Sequence, residues 1–444
     1  MRWAHAKNLP SAETASGKRL WLVFRALRHR NFRLFACGQL ISLIGTWMQA
    51  VALSWLVYRI TNSSFLLGLT GFVSQIPVFL LAPIGGTVAD RYNRHRVIVA
   101  TQTSAMVLAL MLAALTLSRQ VHIWQILVIA ALFGTVNAFD IPGRQAFLVE
   151  MVGKEDLLNA IALNSSMFNA ARVVGPAIAG LLVAGMGEGW CFLLNGVSYI
   201  AVIAGLLLMR LAPRTARETK LSAREHVVEG FQFVLHTRPI LAILLLLGLV
   251  SVMGVPYSVL MPIFADQVLH HGARGLGILM GATGVGAVLG ALTLAARTSV
   301  RGLGRLVAVN CLGFGGSLIL FSASRSFWVS TVLLAPVGYC MMLQMASCNT
   351  LIQSMVPDDL RGRVMAVYSM MFMGMAPLGS LMAGTLGHSL GAPWTVALGG
   401  MVCMVGGAVY RTRLPQLRQE ARQLILAHGM YGGEPAGPMP PREA

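Results

Sequence analysis

Residues 241–260, LAILLLLGLVSVMGVPYSVL, run for twenty positions without a charged side chain. A helix needs about 20 predominantly apolar residues to cross the ~30 Å hydrocarbon core of a bilayer. Lipid offers nothing to hydrogen-bond a free backbone amide, so such a run must pair its N–H and C=O groups within itself. The same window slid along all 444 residues finds twelve spans, near 33–58, 65–88, 97–118, 123–143, 158–186, 190–210, 240–264, 275–296, 304–323, 327–352, 364–387 and 393–410. Composition agrees, with 56% apolar and 11% charged residues. The expected fold is an all-α integral membrane protein of twelve transmembrane helices.

A net charge of +18 suggests nucleic acid until the bases are sorted by loop. Twenty-nine of the 34 Lys and Arg residues fall on one alternating set of loops together with the termini, four (Arg59, Arg119, Arg274, Arg325) on the other set, and Arg172 inside a span. By the positive-inside rule both termini are cytoplasmic, in the inner membrane of the cell. The basic face then meets anionic lipid of the inner leaflet, and nucleic acid is not expected as a partner. The first thirty residues are polar and basic, so the first span reads as an uncleaved anchor. LFAC at 34–37 resembles a lipoprotein cleavage site, but bulky Phe35 argues against cutting. The six cysteines all lie in spans without a C-x-x-C pair and read as packing residues, not metal ligands.

The chain matches itself at a shift of 204 residues. Met151, Val152, Ala162, Met167, Phe168, Gly175, Ala179, Gly180, Trp190 and Gly196 fall on Met355, Val356, Ala366, Met371, Phe372, Gly379, Ala383, Gly384, Trp394 and Gly400. Spans five and six thus repeat as eleven and twelve, which predicts two pseudo-symmetric six-helix bundles of parallel sense, the plan of many secondary transporters. The predicted organisation is a basic N-terminal arm at 1–32, a first bundle at 33–211, a cytoplasmic linker at 212–238, a second bundle at 239–411 and a cytoplasmic tail at 412–444. Within the linker, HVVEGFQFVL reads as an amphipathic helix on the inner leaflet.

GGTVADRYNRHR at 85–96 packs one acid and four bases (three Arg and a His) between two spans. Bases alone fix orientation. Asp90 adds nothing to that, which suggests a directed pair or cap that breaks when the bundles move. Here the sequence resembles the major facilitator superfamily, whose loop between helices two and three reads G-x-x-x-D-R-x-G-R-R. Gly86, Asp90, Arg91 and Arg94 match it, and the resemblance implies a cytoplasmic conformational latch at these positions. Asn93 stands for the second Gly and is expected to keep the turn by tolerating the left-handed conformation. The second half carries a worn copy at AARTSVRG, where Ala296 stands in place of Asp90.

GTWMQAVALSWLVYRITNSSFLLGL, FDIPGRQAFLVEMV and NAIALNSSMFNAARVVGPAIAGLL resemble the branch of exporters similar to the enterobactin exporter, over nearly all of 33–411. ARVVGPAIAG is also similar to the Gly-Pro signature of export by antiport, through Gly175, Pro176 and Gly180. Its physical content is a bend and a face of small residues on which helices of opposing bundles can touch, or else a simple packing kink. The family places Asp140 and Arg144 beside the latch, so Asp140 is either a partner of the arginines at 91–96 or a titratable coupling group.

Polar residues within spans are costly and point to function. Arg172 lies about 21 Å along span five at ~1.5 Å per residue, and Ser165, Asn169 and Arg172 share its face. This arginine attracts an anionic substrate, pairs with an acid in one conformation, or is tied to backbone carbonyls. Gln39, Ser42, Thr46 and Gln49 form a stripe on span one, which lines the central cavity or bonds to another helix. Ten methionines between 341 and 382 read as packing, or as a soft wall for apolar ligands.

Together these features predict proton-coupled export of a small amphipathic organic molecule, siderophore- or drug-like, by alternating access. No cofactor is expected, the proton gradient supplying the energy. Oligomeric state is left open, and a monomer fits. An uptake symporter is the alternative. A membrane-embedded enzyme is remote, since the chain has no H-E-x-x-H, G-x-S-x-G or G-x-x-x-x-G-K motif.

Overall fold

The computed structural model describes residues 24–210, 223–297, 299–357 and 360–427. Among them are twelve helices long and apolar enough to cross a membrane. We label these α1 (Arg30–Thr61), α2 (Ser64–Arg91), α3 (Arg94–Leu117), α4 (Ile123–Val152), α5 (Leu157–Met186) and α6 (Glu188–Leu207) in the first half. The second half holds α7 (Arg238–Val268), α8 (Gly272–Ala295), α9 (Leu303–Ala323), α10 (Phe327–Met355), α11 (Arg361–Ser389) and α12 (Ala392–Ala427). No strand occurs among the described residues.

The repeat is visible in the backbone. Gly187 and Gly391, 204 residues apart, hold φ of 91° and 84° just before the sixth helix of each half. A side chain is strained there, and glycine is not. α3 packs along α6, and α9 packs along α12, six helices on.

Two helices of the second half are not uniform. α7 passes through a π segment (Val250–Gly254), a 3-10 segment (Val255–Leu260), a short α turn and a second π segment (Phe264–Val268). Pro256 and Pro262 each remove a backbone donor, which breaks the regular ladder. α11 holds a π segment at Met370–Gly374. The buried Ser251 hydroxyl of α7 donates to Phe372 O inside it at 2.5 Å, supplying from a neighbour what the altered ladder leaves open.

Contacts gather the chain into two compact units. One comprises Met1–Ala52, Leu81–Val121 and Thr135–Thr219; the other comprises Leu53–Leu80, His122–Gly134 and Lys220–Ala444. This division departs from the two sequence halves because the end of α1 and the start of α2 pack on α7 and α11. Tyr58 Oη of α1 donates to Asp266 Oδ2 of α7 at 2.8 Å, and Gln267 Nε2 donates to Asn62 Oδ1 at 3.0 Å. On α2, a Cβ at Gly68 would stand 2.7 Å from Gly384 Cα of α11, a closeness that only glycine pairs permit.

The linker helix Ala223–His236 forms over the predicted amphipathic stretch. Gly230 and Val234 of this helix are buried against protein, while Leu235 is exposed. Gly230 abuts Arg363 O at the start of α11, and Glu229 pairs with the Arg363 guanidinium.

Candidate functional site

In the first unit, the turn between α2 and α3 is closed by Arg94. Its Nε donates to Ala89 O at 3.0 Å, and its Nη1 donates to Ala146 O at 2.9 Å and to Glu150 Oε1 at 3.0 Å. One guanidinium therefore ties the end of α2 to the last turns of α4. Asn93 is extended at φ −65° and its side chain accepts from Arg96 N, so it caps α3 instead of taking the left-handed conformation expected of it. His95 Nε2 lies 2.8 Å from Leu206 O and donates to it, joining α3 to the end of α6. Arg91 is exposed, and the side chain of Asp90 lies outside the described residues. The close approach to α4 is made by Gly85, not by the motif residue Gly86, which has open space. Pro142 has no N–H for Ala138 O, and this carbonyl presses on α2 at Gly85.

Asp140 is buried one turn before Arg144. Arg144 Nη2 stands 2.5 Å from Asp140 Oδ2, while Thr101 Oγ1 and Gln102 Nε2 of α3 both stand 2.8 Å from Oδ1. A carboxylate so deep needs such donors to offset its desolvation. Its described partners are these three. Among the described side chains, Glu150 meets an arginine of 91–96, through Arg94.

A second acid, outside the predicted site residues, anchors the arm. Asp156, just before α5, is 1% exposed and receives Arg25 Nε at 2.6 Å, Arg28 Nη2 at 2.7 Å and His29 Nε2 at 2.7 Å. The His29 hydrogen bond, with the charges of Arg25 and Arg28, holds its carboxyl below the usual carboxylate range. Asn159 Oδ1 accepts from Ala26 N at 2.8 Å. Ala26 itself is buried with Phe32, Ile98 and Phe147 in an apolar cluster. The 3-10 turn Arg25–Arg28 is thus held by charge, cap and packing together.

The α1 stripe turns inward against α6. Gln39, Ser42 and Gln49 are 3%, 3% and 7% exposed, and Gln49 Oε1 accepts from the fully buried Asn195 Nδ2 at 2.7 Å. Gly45 lies against Asn195 and Ser198. Of the four predicted residues only Thr46 is exposed; its hydroxyl donates to Ser42 O. The Gln49–Asn195 bond joins α1 to α6, and the Thr46–Ser42 bond lies within α1.

The α5 face is organised as its spacing predicts. Asn169 Nδ2 donates to Ser165 O at 2.9 Å, Ser165 is exposed, and Arg172 is half-buried. The Arg172 guanidinium lies over the Trp47 ring of α1, 5.7 Å from its centroid, and Phe168 meets Trp47 edge-on at 5.6 Å. Two aromatic rings and a cation thus share one patch halfway along the membrane span, an arrangement suited to an anion with apolar or aromatic bulk. Gly175 sets the distance between α5 and α1, since a Cβ there would stand 2.6 Å from Trp47 Cβ. Pro176 and Gly180 are buried beside it. In this unit the small-residue face meets α1.

Among the described residues no group of three or more His, Cys, Asp or Glu side chains is placed to hold a metal.

The family described as transmembrane secretion effector, within the major facilitator superfamily, matches residues 23–429. The chain belongs to it. Among the family's curated relatives, the staphyloferrin A transporter of Staphylococcus aureus (strain NCTC 8325 / PS 47) is 25% identical over 395 residues, covering 87% of this chain and 98% of the relative. The enterobactin exporter of Shigella boydii serotype 4 (strain Sb227) is 25% identical over 408 residues, covering 90% and 96%. The crystal structure of a point mutant of the nucleoside transporter NupG superposes with a TM-score of 0.68 at 13% identity, covering 88% of this chain and 99% of that one, which shows the shared fold. The protein is a multi-pass membrane transporter of this family.

Proposed function

We propose that this transporter exports a small organic anion with apolar or aromatic bulk, of the siderophore kind, in exchange for protons, with both termini cytoplasmic. The observation that carries the reading is Arg172, half-buried over Trp47 and beside Phe168 at mid-span. A cation at that depth is expensive, and a transiently bound anion offsets the cost. The relatives named for staphyloferrin A and enterobactin support the substrate class. The Gly175–Pro176 pair supports exchange over uptake.

Inside-out vesicles test it. With an acidified lumen they should load a labelled siderophore, and a protonophore should abolish the loading. Arg172→Ala should lower loading at least tenfold while the protein remains inserted. Loading that follows a gradient of the opposite sign would establish a symporter, and wild-type loading by Arg172→Ala would remove the arginine from the site.

A further inference from the structure

A cavity of about 660 Å³ lies wholly within the second unit, where the starts of α7 and α9 meet the ends of α10 and α12. Its two ends differ in chemistry. The floor is apolar: Ile243, Leu351 and Met355 are buried there, with Leu414 above them. The rim carries four exposed arginines, Arg301, Arg305, Arg418 and Arg422, and among the described residues no carboxylate lines the cavity. Arg305, Arg418 and Arg422 have no ion-pair or hydrogen-bond partner among the described residues.

Like charges held close together repel one another, and an anion seated among Arg305, Arg418 and Arg422 relieves that cost. Tyr410 points to the same occupant. It is 7% exposed and lines the wall, its hydroxyl has no partner among the described residues, and its Oη faces Gly304, 3.8 Å from where a Cβ would stand. The first turn of α9 also opens on the cavity at Gly304 and Arg305, behind Gly302 at φ 81°, and adds the positive end of a 21-residue helix.

We propose that this cavity binds the phosphate-bearing headgroup of an anionic lipid, with the first part of an acyl chain on the apolar floor. A free phosphate would meet the rim alone, whereas the half-buried Leu414 and Leu417 of the lining offer apolar surface to an acyl chain. The arginines grip the phosphate oxygens, and the Tyr410 hydroxyl donates to an oxygen at the base of the headgroup. The proposal rests on the transporter reading only in taking the basic end of the protein to face an anionic leaflet. Lipid binding is measured without transport, so either can fail alone.

Purified full-length protein in zwitterionic detergent is titrated with phosphatidylglycerol, with phosphatidylcholine and with inorganic phosphate, and retained lipid is counted by native mass spectrometry. Wild type should retain one phosphatidylglycerol in preference to phosphatidylcholine, and millimolar phosphate should not displace it. Arg305→Gln/Arg418→Gln/Arg422→Gln should lower that affinity roughly 100-fold, on the scale of three phosphate-facing bases. Tyr410→Phe, which leaves the charge intact, should lower it about threefold, the scale of one hydrogen bond. Undiminished retention in the triple variant overturns the site. Displacement by phosphate alone overturns the lipid as its occupant. Should the triple variant not fold, Arg305→Gln and Tyr410→Phe decide, and wild-type retention in both overturns the proposal.

Discussion

Asp140 on α4 and Gln344 on α10 stand 204 residues apart, at matching places in the two halves, and both are 1% exposed. Asp140 is ionically paired to Arg144 and held by Thr101 and Gln102. Around Gln344 the same place is neutral: Cys348 stands where Arg144 does, the Cys311 thiol lies against the amide, and neither end of that amide has a hydrogen-bond partner of good geometry among the described residues. The segments that precede each half repeat the lesson with the charges reversed. In the first half the acid, Asp156, is on the bundle and the bases are on the arm; in the second the base, Arg363, is on the bundle and the acid, Glu229, is on the linker helix. Duplication preserved backbone and packing, while each half acquired its own electrostatics. The charged contacts at the basic end are therefore not interchangeable between halves.

The sharpest way to break this comparison is Asp140→Ala. Removing one partner of a buried pair leaves Arg144 uncompensated and should cost about 3–5 kcal/mol. Thermal unfolding of the detergent-purified variant measures it, and a wild-type midpoint would mean that Asp140 holds nothing. Next comes the latch. Asp90→Asn should lower turnover at least about tenfold, on the ~1.4 kcal/mol scale of a charge-assisted contact, with insertion unchanged; wild-type transport would end the case for it. Ala296→Asp, which restores the acid to the second half, should change nothing, because that half has no matching network.

Gln344→Leu should be neutral or stabilising by about 1 kcal/mol, since a buried amide without partners is replaced by an apolar side chain of similar size. A large loss in the same thermal assay would show that Gln344 is engaged during the cycle. The smallest effect concerns the arm. The Asp156 carboxyl sits below its ordinary value, so its contribution is complete above about pH 4 and drains away only as the pH falls below that. Protease nicking near Arg25 should be faster in Asp156→Asn than in wild type at pH 7. Equal nicking in both would show that cap and packing alone hold the turn.

Hydropathy made the spans legible, because membrane thickness sets their length. It saw the bilayer better than the helices. α12 is predicted over 393–410, yet it continues to Ala427 as a polar helix past the apolar part. The i, i+4 spacing of Ser165, Asn169 and Arg172 was readable because it lies along one helix. Trp47 over Arg172 was not, since 125 residues separate them and only packing joins α1 to α5. Asp156 carried one faint signal, an acid immediately before a helix. Its partners Arg25, Arg28 and His29 come from a segment whose fold the sequence did not declare.

The π segments of α7 and α11 have a mechanical consequence. A five-residue turn holds one residue more than its register requires. Handing that residue along α7 from Gly254 to a point past Asp266 would rotate the stretch between, Asp266 included, by roughly 100° about the helix axis. Side chains that face Tyr58 before such a step would face elsewhere after it, with no bundle displaced as a body.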